Sequence, residues 1–377
     1  MNPGLYIHIP FCEQRCYYCA FTVAVSPEHT FEPYVQRLVR EIELCGRGDA
    51  VETIYLGGGT PSLLSADLLG RILGATPAHA ASEISIEINP GTLSSDKVAR
   101  YRNLGINRVS LGAQSLEDED LQRAGRLHKA SAVYADFDLL RRSGFANINL
   151  DLIAGLPNQE LKTWTRSLDR VVELRPDHIS IYMLDHEERS AWAKLPPGVP
   201  EESDFADFYT EAEARLGAAG YLHYEISNWA LPGRECRHNV GYWSGVPYRG
   251  VGVGAHSYDG VRRFWNTTSL GEYADLLDAG RLPVSGEETL TPQLRLEEAF
   301  LLGLRQACGV DVCSVAKRLG IEYPSEWHVR VEQLQDAGWI RFDGTILQLT
   351  AKGRLAANSV IEEMIWPTPS STYEATP

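Results

Sequence analysis

The chain has 377 residues, of which 44 % are hydrophobic and 23 % charged, so it can bury a core, and global disorder is excluded. Its 35 Lys and Arg stand against 50 Asp and Glu, a formal net charge of −15 that argues against broad, charge-driven binding to nucleic acid. No run of about 20 apolar residues predicts a membrane span. The start, MNPGLYIHIPFC, lacks the basic and apolar regions of a secretory signal. Seven cysteines, three of them crowded into residues 12–19, do not make a disulfide scaffold, and the expected compartment is reducing and cytoplasmic.

In chain order, β-branched runs at Leu5–Ile9, Thr53–Leu56, Glu83–Ile88, Arg108–Leu111, Asn147–Ile153 and His178–Met183 predict strands. Helical spacing falls between them at Phe31–Leu44, Ser65–Leu73, Ser94–Leu104, Ala130–Arg142 and Leu161–Leu174. Alternation of this kind predicts an α/β fold with a parallel sheet and outer helices, open or curled, and places chemistry at the carboxyl ends of the strands. Residues 1–230 would form this core, and the Gly- and aromatic-rich residues 231–290 a connection. Residues 291–365 read as a C-terminal helical, winged-helix-like domain. Its helices fall at Leu294–Gln306, Val312–Leu319 and Ser325–Ala337, a hairpin at Ile340–Phe342 and Ile346–Leu349, and a last helix near residue 360. With eight Lys and Arg against ten Asp and Glu, that domain suits a structural or partner-docking role better than DNA binding. The Pro/Ser/Thr-rich residues 366–377 are expected to be a disordered tail.

Cys12, Cys16 and Cys19 are spaced C-x₃-C-x₂-C. Three thiolates on one short loop can ligate three irons of a [4Fe–4S] cluster and leave the fourth open; zinc is the alternative, but a structural zinc site takes four ligands. Gly57-Gly58-Gly59-Thr60-Pro61 follows a strand without the GK[ST] of a P-loop, and its bare backbone can approach a ligand closely. By alternation Glu83, Ser85 and Glu87 share one polar strand face, which suggests a lined cavity. Gln114, Arg126 and Asp151 fall near later strand ends. A carboxylate, an amide, a guanidinium and a second carboxylate suit a zwitterionic, ribose-bearing ligand.

The triplet after a first strand resembles the radical S-adenosylmethionine (SAM) superfamily. The resemblance implies that the open iron binds SAM and that an electron from the reduced cluster cleaves it, so an electron donor is implied. IHIPFC, LGGGTPS, EINPG, GINRVSLGAQS, LDLIAGLP and HNVGYW together resemble the oxygen-independent coproporphyrinogen III oxidase family over most of the chain. That family implies a partial (β/α)₆ barrel. It also implies SAM contacts at Tyr6, Gly58, Gly59, Thr60, Glu87, Gln114, Arg126 and Asp151.

Two departures stand out: Phe21 occupies the place of the oxidase's fourth cysteine, and Cys12 lies close to the start, without the oxidase's long N-terminal extension. Both point to the heme-chaperone branch, which implies bound heme and a heme-acceptor protein rather than turnover of coproporphyrinogen III. The HNVGYW segment matches the signature of that branch. Imidazole is a common heme ligand and aromatics pack on porphyrins, so His238 is the expected heme contact. The oxidase itself, a radical SAM methyltransferase, and a cluster that merely orders the loop are the competing readings.

Overall fold

The computed structural model describes residues 3–46, 50–185, 189–193, 196 and 198–365, with the backbone alone at residue 202. The expected tail, 366–377, lies outside the described residues. The chain divides into two compact units: one comprises 1–223, 227–240 and 246–288, the other 224–226, 241–245 and 289–377.

The first unit starts with strand β1 (Gly4–Ile9) and a short parallel pair, β2 (Phe11–Cys12) and β3 (Ala24–Val25), around the cysteine loop. Five more strands run parallel to β1: β4 (Val51–Gly58), β5 (Ala78–Ile88), β6 (Arg108–Gln114), β7 (Ile148–Ala154) and β8 (His178–Met183). The helices between them are α1 (Phe31–Leu44), α2 (Ala66–Ala75), α3 (Ser95–Asn103), α4 (Asp118–Arg123), α5 (Ala130–Arg142) and α6 (Leu161–Leu174). Helix α1 buries Phe31, Val35, Leu38 and Ile42, a stripe at helical spacing. Ser65 and Ser94 cap α2 and α3 by accepting from the N–H groups of Leu68 and Lys97, caps worth about 1 kcal/mol each.

Downstream come α7 (Glu202–Ala218), β9 (Leu222–Glu225), β10 (Asn228–Ala230) and α8 (Arg237–Trp243). They are followed by β11 (Tyr248–Val251), β12 (His256–Tyr258), β13 (Arg262–Asn266), α9 (Leu270–Asp278) and β14 (Val284–Thr289). The full sheet order is β14-β13-β12-β11-β1-β4-β5-β6-β7-β8-β10-β9. The segment expected to be a mere connection therefore extends the sheet, because β11 pairs parallel with β1. Helix α7 escaped the sequence reading because its Ala- and Glu-rich stretch carries a weak apolar stripe.

The sheet is apolar outside and polar inside. Ile54, Leu56, Ile84, Ile86, Val109, Leu111, Leu150 and Leu152 face the helices and are buried in one core. On the other face Thr53, Glu83, Ser85, Arg108, Ser110, Asn149, His178 and Ser180 are also buried. Buried polar groups need partners. Asn149 donates to Ser110, Asp151 and Ser180 at 2.7, 2.7 and 3.0 Å, and accepts at 2.7 Å from the His178 ring, so polar contacts knit β6, β7 and β8 across the inner face.

The second unit holds α10 (Pro292–Gly303), β15 (Val310–Asp311), α11 (Val312–Leu319), α12 (Ser325–Asp336), β16 (Ile340–Phe342), β17 (Ile346–Leu349), α13 (Ala351–Leu355) and α14 (Ala357–Met364). Helix, strand, two helices and a hairpin, with the strands ordered β15-β17-β16, match the expected winged-helix-like arrangement. Phe300 and Trp327 fill its core, and Tyr323 stacks on Trp327 at 4.3 Å.

Candidate functional site

A cavity of about 350 Å³ opens at the carboxyl ends of the parallel strands, within the size range of small-molecule sites. Cys12, Cys16 and Cys19 line it together with Gly58, Gly59, Thr60, Glu87, Gln114, Arg126 and Asp151. Among the described residues, which include all seven cysteines, no disulfide forms. Burial pushes the Cys12 thiol up to about 11 and raises Cys19 as well. Among the described residues no three His, Cys, Asp or Glu side chains converge as ligands of a single ion must. The three thiols share one cavity wall, and in a cluster each would take a different iron.

The glycine motif shapes the adjoining wall. Gly58 has φ 110°, and a Cβ there would lie 2.5 Å from the His8 ring; at Gly59 it would lie 2.7 Å from the Phe11 carbonyl oxygen. No larger residue fits. Gly59 N–H donates to Ile9 O at 2.8 Å and Thr60 N–H to Phe11 O at 2.7 Å, which ties this turn to the chain entering Cys12. The Thr60 hydroxyl donates to Cys12 Sγ at 3.6 Å.

Arg126 spans the cavity wall. Its Nη1 donates to Cys16 Sγ at 3.3 Å and to the Tyr18 hydroxyl at 3.4 Å; its Nη2 donates to Asn89 Oδ1 at 2.8 Å and Gly112 O at 2.9 Å. Asn89 also donates to Thr60 Oγ1 at 2.9 Å. The sequence reading missed Asn89 as a site residue, although EINPG contains it; only the fold shows that it bridges the arginine and the glycine motif. Gln114 sits in the left-handed region, φ 64°, where the β6–β7 register slips. Such a kink re-aims a side chain, and its amide lies at the cavity.

The two carboxylates differ. Asp151 accepts from Ser110 Oγ at 2.8 Å and Asn149 Nδ2 at 2.7 Å, yet burial still raises it. Glu87 accepts from Gly58 N–H at 3.0 Å. Burial and the nearby Asp151 charge push Glu87 up to about 7, with Tyr55, Gly58 and Arg108 opposing.

Two expected residues do not line the cavity. Tyr6 donates its hydroxyl to His8 Nδ1 at 3.0 Å. His238 lies at the amino ends of β1 and β4, where a Cβ on Gly4 would come within 3.2 Å of its ring. Its residue exposure is 4 %, its Nδ1 lies 2.7 Å from Thr53 Oγ1, and its N–H donates to Glu83. Burial, with the Arg108 guanidinium nearby, pushes it down to about 3, so the ring is neutral. Cys236 is fully buried, donates to Glu83 and is pushed up by burial to about 12.

Among the described residues no helix is long and apolar enough to cross a membrane. The Radical SAM superfamily model matches residues 6–171, and the HemN C-terminal domain model residues 290–356. The superfamily implies a [4Fe–4S] cluster and SAM as cofactors. Heme chaperone HemW of Bacillus subtilis (strain 168) is 34 % identical over 94 % of this chain and 97 % of its own. HemW of Mycobacterium tuberculosis (strain H37Rv) is 36 % identical over 96 % and 94 %. Among solved structures, coproporphyrinogen III oxidase (HemN) from Escherichia coli, a radical SAM enzyme, superposes with a TM-score of 0.84 at 25 % identity, covering 97 % of this chain and 90 % of that one. By near full-length similarity, with the cysteine triplet and glycine motif on one cavity, the chain belongs to the HemW family of radical SAM proteins.

Proposed function

We propose that this chain binds heme and passes it to an acceptor protein, using a radical SAM core as its scaffold. The observation that carries this reading over the oxidase is Phe21. It stands where the oxidase resemblance calls for a further cysteine, lines the cavity, and is 67 % exposed. The curated relatives' names support the same choice.

In this reading Cys12, Cys16 and Cys19 hold the cluster. Because Cys12 and Cys19 are thiols in the metal-free chain, loading releases protons. The cluster and SAM, when bound, supply one-electron chemistry, with electrons from an external donor. Arg126 presents a guanidinium to the carboxylate of SAM, and Asn89 and Gly112 hold that guanidinium in place. Glu87 and Asp151 accept from the ribose hydroxyls. Gly58, Gly59 and Thr60 let the backbone close on the methionine end, and Gln114 adds an amide from the facing strand end. Tyr242 and Trp243 of the HNVGYW segment are half-buried and offer aromatic surface to a porphyrin. A heme contact by His238 requires its enclosed ring to leave Thr53.

The test is a paired assay on one anaerobically reconstituted preparation of the full chain. Expected are stoichiometric heme binding and no decarboxylation of coproporphyrinogen III. Vinyl-group formation under reducing conditions returns the function to the oxidase. Absence of heme binding removes the chaperone reading.

A further inference from the structure

Tyr6 and His238, the two expected site residues outside the cavity, share one neighbour. Tyr55 stacks on the His238 ring with centroids 5.2 Å apart and planes at 26°, and on the Tyr6 ring at 6.4 Å and 23°. The register explains half of this: Tyr6 and Tyr55 are opposite residues on adjacent parallel strands, so both project to the inner face. Helix α8 brings the third ring. Tyr55 itself lines the cavity, as does Glu87. Gly57 lies beneath both: a Cβ there would come 2.9 Å from Tyr55 Cε1 and 3.1 Å from Glu87 Oε1. The ring and the carboxylate therefore close over the same point of the backbone.

The outer rings are each held from behind. His8 Nε2 lies 2.7 Å from the Thr22 carbonyl oxygen, so Nε2 carries the proton and Nδ1 accepts from Tyr6. His238 is held by Thr53 at its ring, and Glu83 accepts the N–H groups of Arg237 and His238 at 3.2 and 3.3 Å. A three-ring stack fixed at both ends makes a rigid surface under Glu87.

We propose that Tyr55 forms the floor of the SAM site, and that Tyr6 and His238 are positioning residues that act through it by clamping its ring beneath Glu87. This deepens the site reading above and rests on Glu87 being a SAM contact. It gives the histidine of HNVGYW a task on the inner face of the sheet that requires no iron.

The experiment compares ringed and ringless variants in the full chain, reconstituted without oxygen. SAM affinity is measured by equilibrium dialysis, heme affinity by absorbance titration, and cluster loading by iron content. At wild-type iron content, Tyr55→Leu and His238→Ala are expected to weaken SAM binding about 10-fold, the worth of one well-placed charged hydrogen bond. His238→Phe keeps the stack and is expected to stay within about 3-fold of wild type. Tyr55→Phe keeps it too but loses the hydroxyl's hydrogen bond to Glu87, and is expected to fall between wild type and Tyr55→Leu. Heme affinity of His238→Phe, which cannot ligate iron, is expected to be unchanged. Ringless variants that bind SAM like wild type overturn the proposal. So does His238→Phe that loses heme while keeping SAM, which assigns the imidazole to iron. Iron loss in parallel with SAM loss also overturns it, in favour of a general scaffold role. Should His238→Ala not fold, the two phenylalanine variants and Tyr55→Leu decide. Wild type that binds no SAM at all is a different failure, because it removes the site reading itself.

Discussion

Glu87 makes the site sensitive to pH. Its folded value of about 7 lies above the ordinary carboxylate value of 4.5 because burial and Asp151 both penalise its charge. An acid whose value rises on folding favours the folded state while neutral. That contribution is full below about pH 4.5 and is lost as pH climbs through about 7. Glu87→Gln in the metal-free chain is therefore expected to be more stable than wild type at pH 8, by about 3 kcal/mol, and equal to it near pH 4. Denaturant titrations at the two pH values check this, and equal differences at both would refute it. Wild-type SAM affinity is expected to rise through pH 7 as the carboxylate ionises and becomes a better acceptor for hydroxyls, while the Gln variant stays flat.

At the scale of the element, one buried side chain from β5 gathers three donors at the start of α8. Glu83 is buried and accepts the N–H groups of Arg237 and His238 and the thiol of Cys236. Removing a buried acceptor leaves its donors unsatisfied. Glu83→Ala is expected to lower stability by about 2–3 kcal/mol, and amide exchange at residues 237–240 is expected to speed up. Unchanged exchange there would show that α8 is held by other means. The cysteines supply a second readout. Cys308 and Cys313 are exposed, whereas Cys236 is enclosed and its thiol pushed up to about 12. Brief alkylation of the folded chain is expected to label Cys308 and Cys313 and to spare Cys236; early labelling of Cys236 would show that α8 opens readily.

For the whole molecule, the alternation of strands and helices was legible because each parallel strand buries an apolar outer face under a helix. The polar inner face was legible at Glu83–Glu87, where charge interrupts that pattern on alternate residues, although of these only Glu87 reaches the cavity. The cysteine loop, the glycine turn, Arg126 and Asp151 could be placed by motif, and all reach one cavity. What the sequence hid was lateral closeness. Tyr55 sits in TIYL with no motif of its own, and its neighbours are 49 and 183 positions away. The sheet extension β11–β14 hid because its strands are only three to six residues long and β11–β13 lie among Gly-rich turns. The second unit carries an excess of acidic residues despite its winged-helix-like order. The full chain is expected not to retard duplex DNA at about 150 mM salt, where screening leaves only local attraction. A salt-sensitive shift in a gel assay would reveal a basic face that the totals conceal.

The ties from Gly59 and Thr60 to Ile9 and Phe11 bear on the order of assembly. They weld the entry to Cys12 onto the turn that would face the methionine end. Iron arriving first meets a hinge already set and completes the pocket for the nucleotide. SAM arriving first would meet the glycine turn and Arg126 but lack the open iron that completes its grip. Maturation should thus proceed metal before nucleotide, and a cell starved of iron should accumulate a chain empty of both.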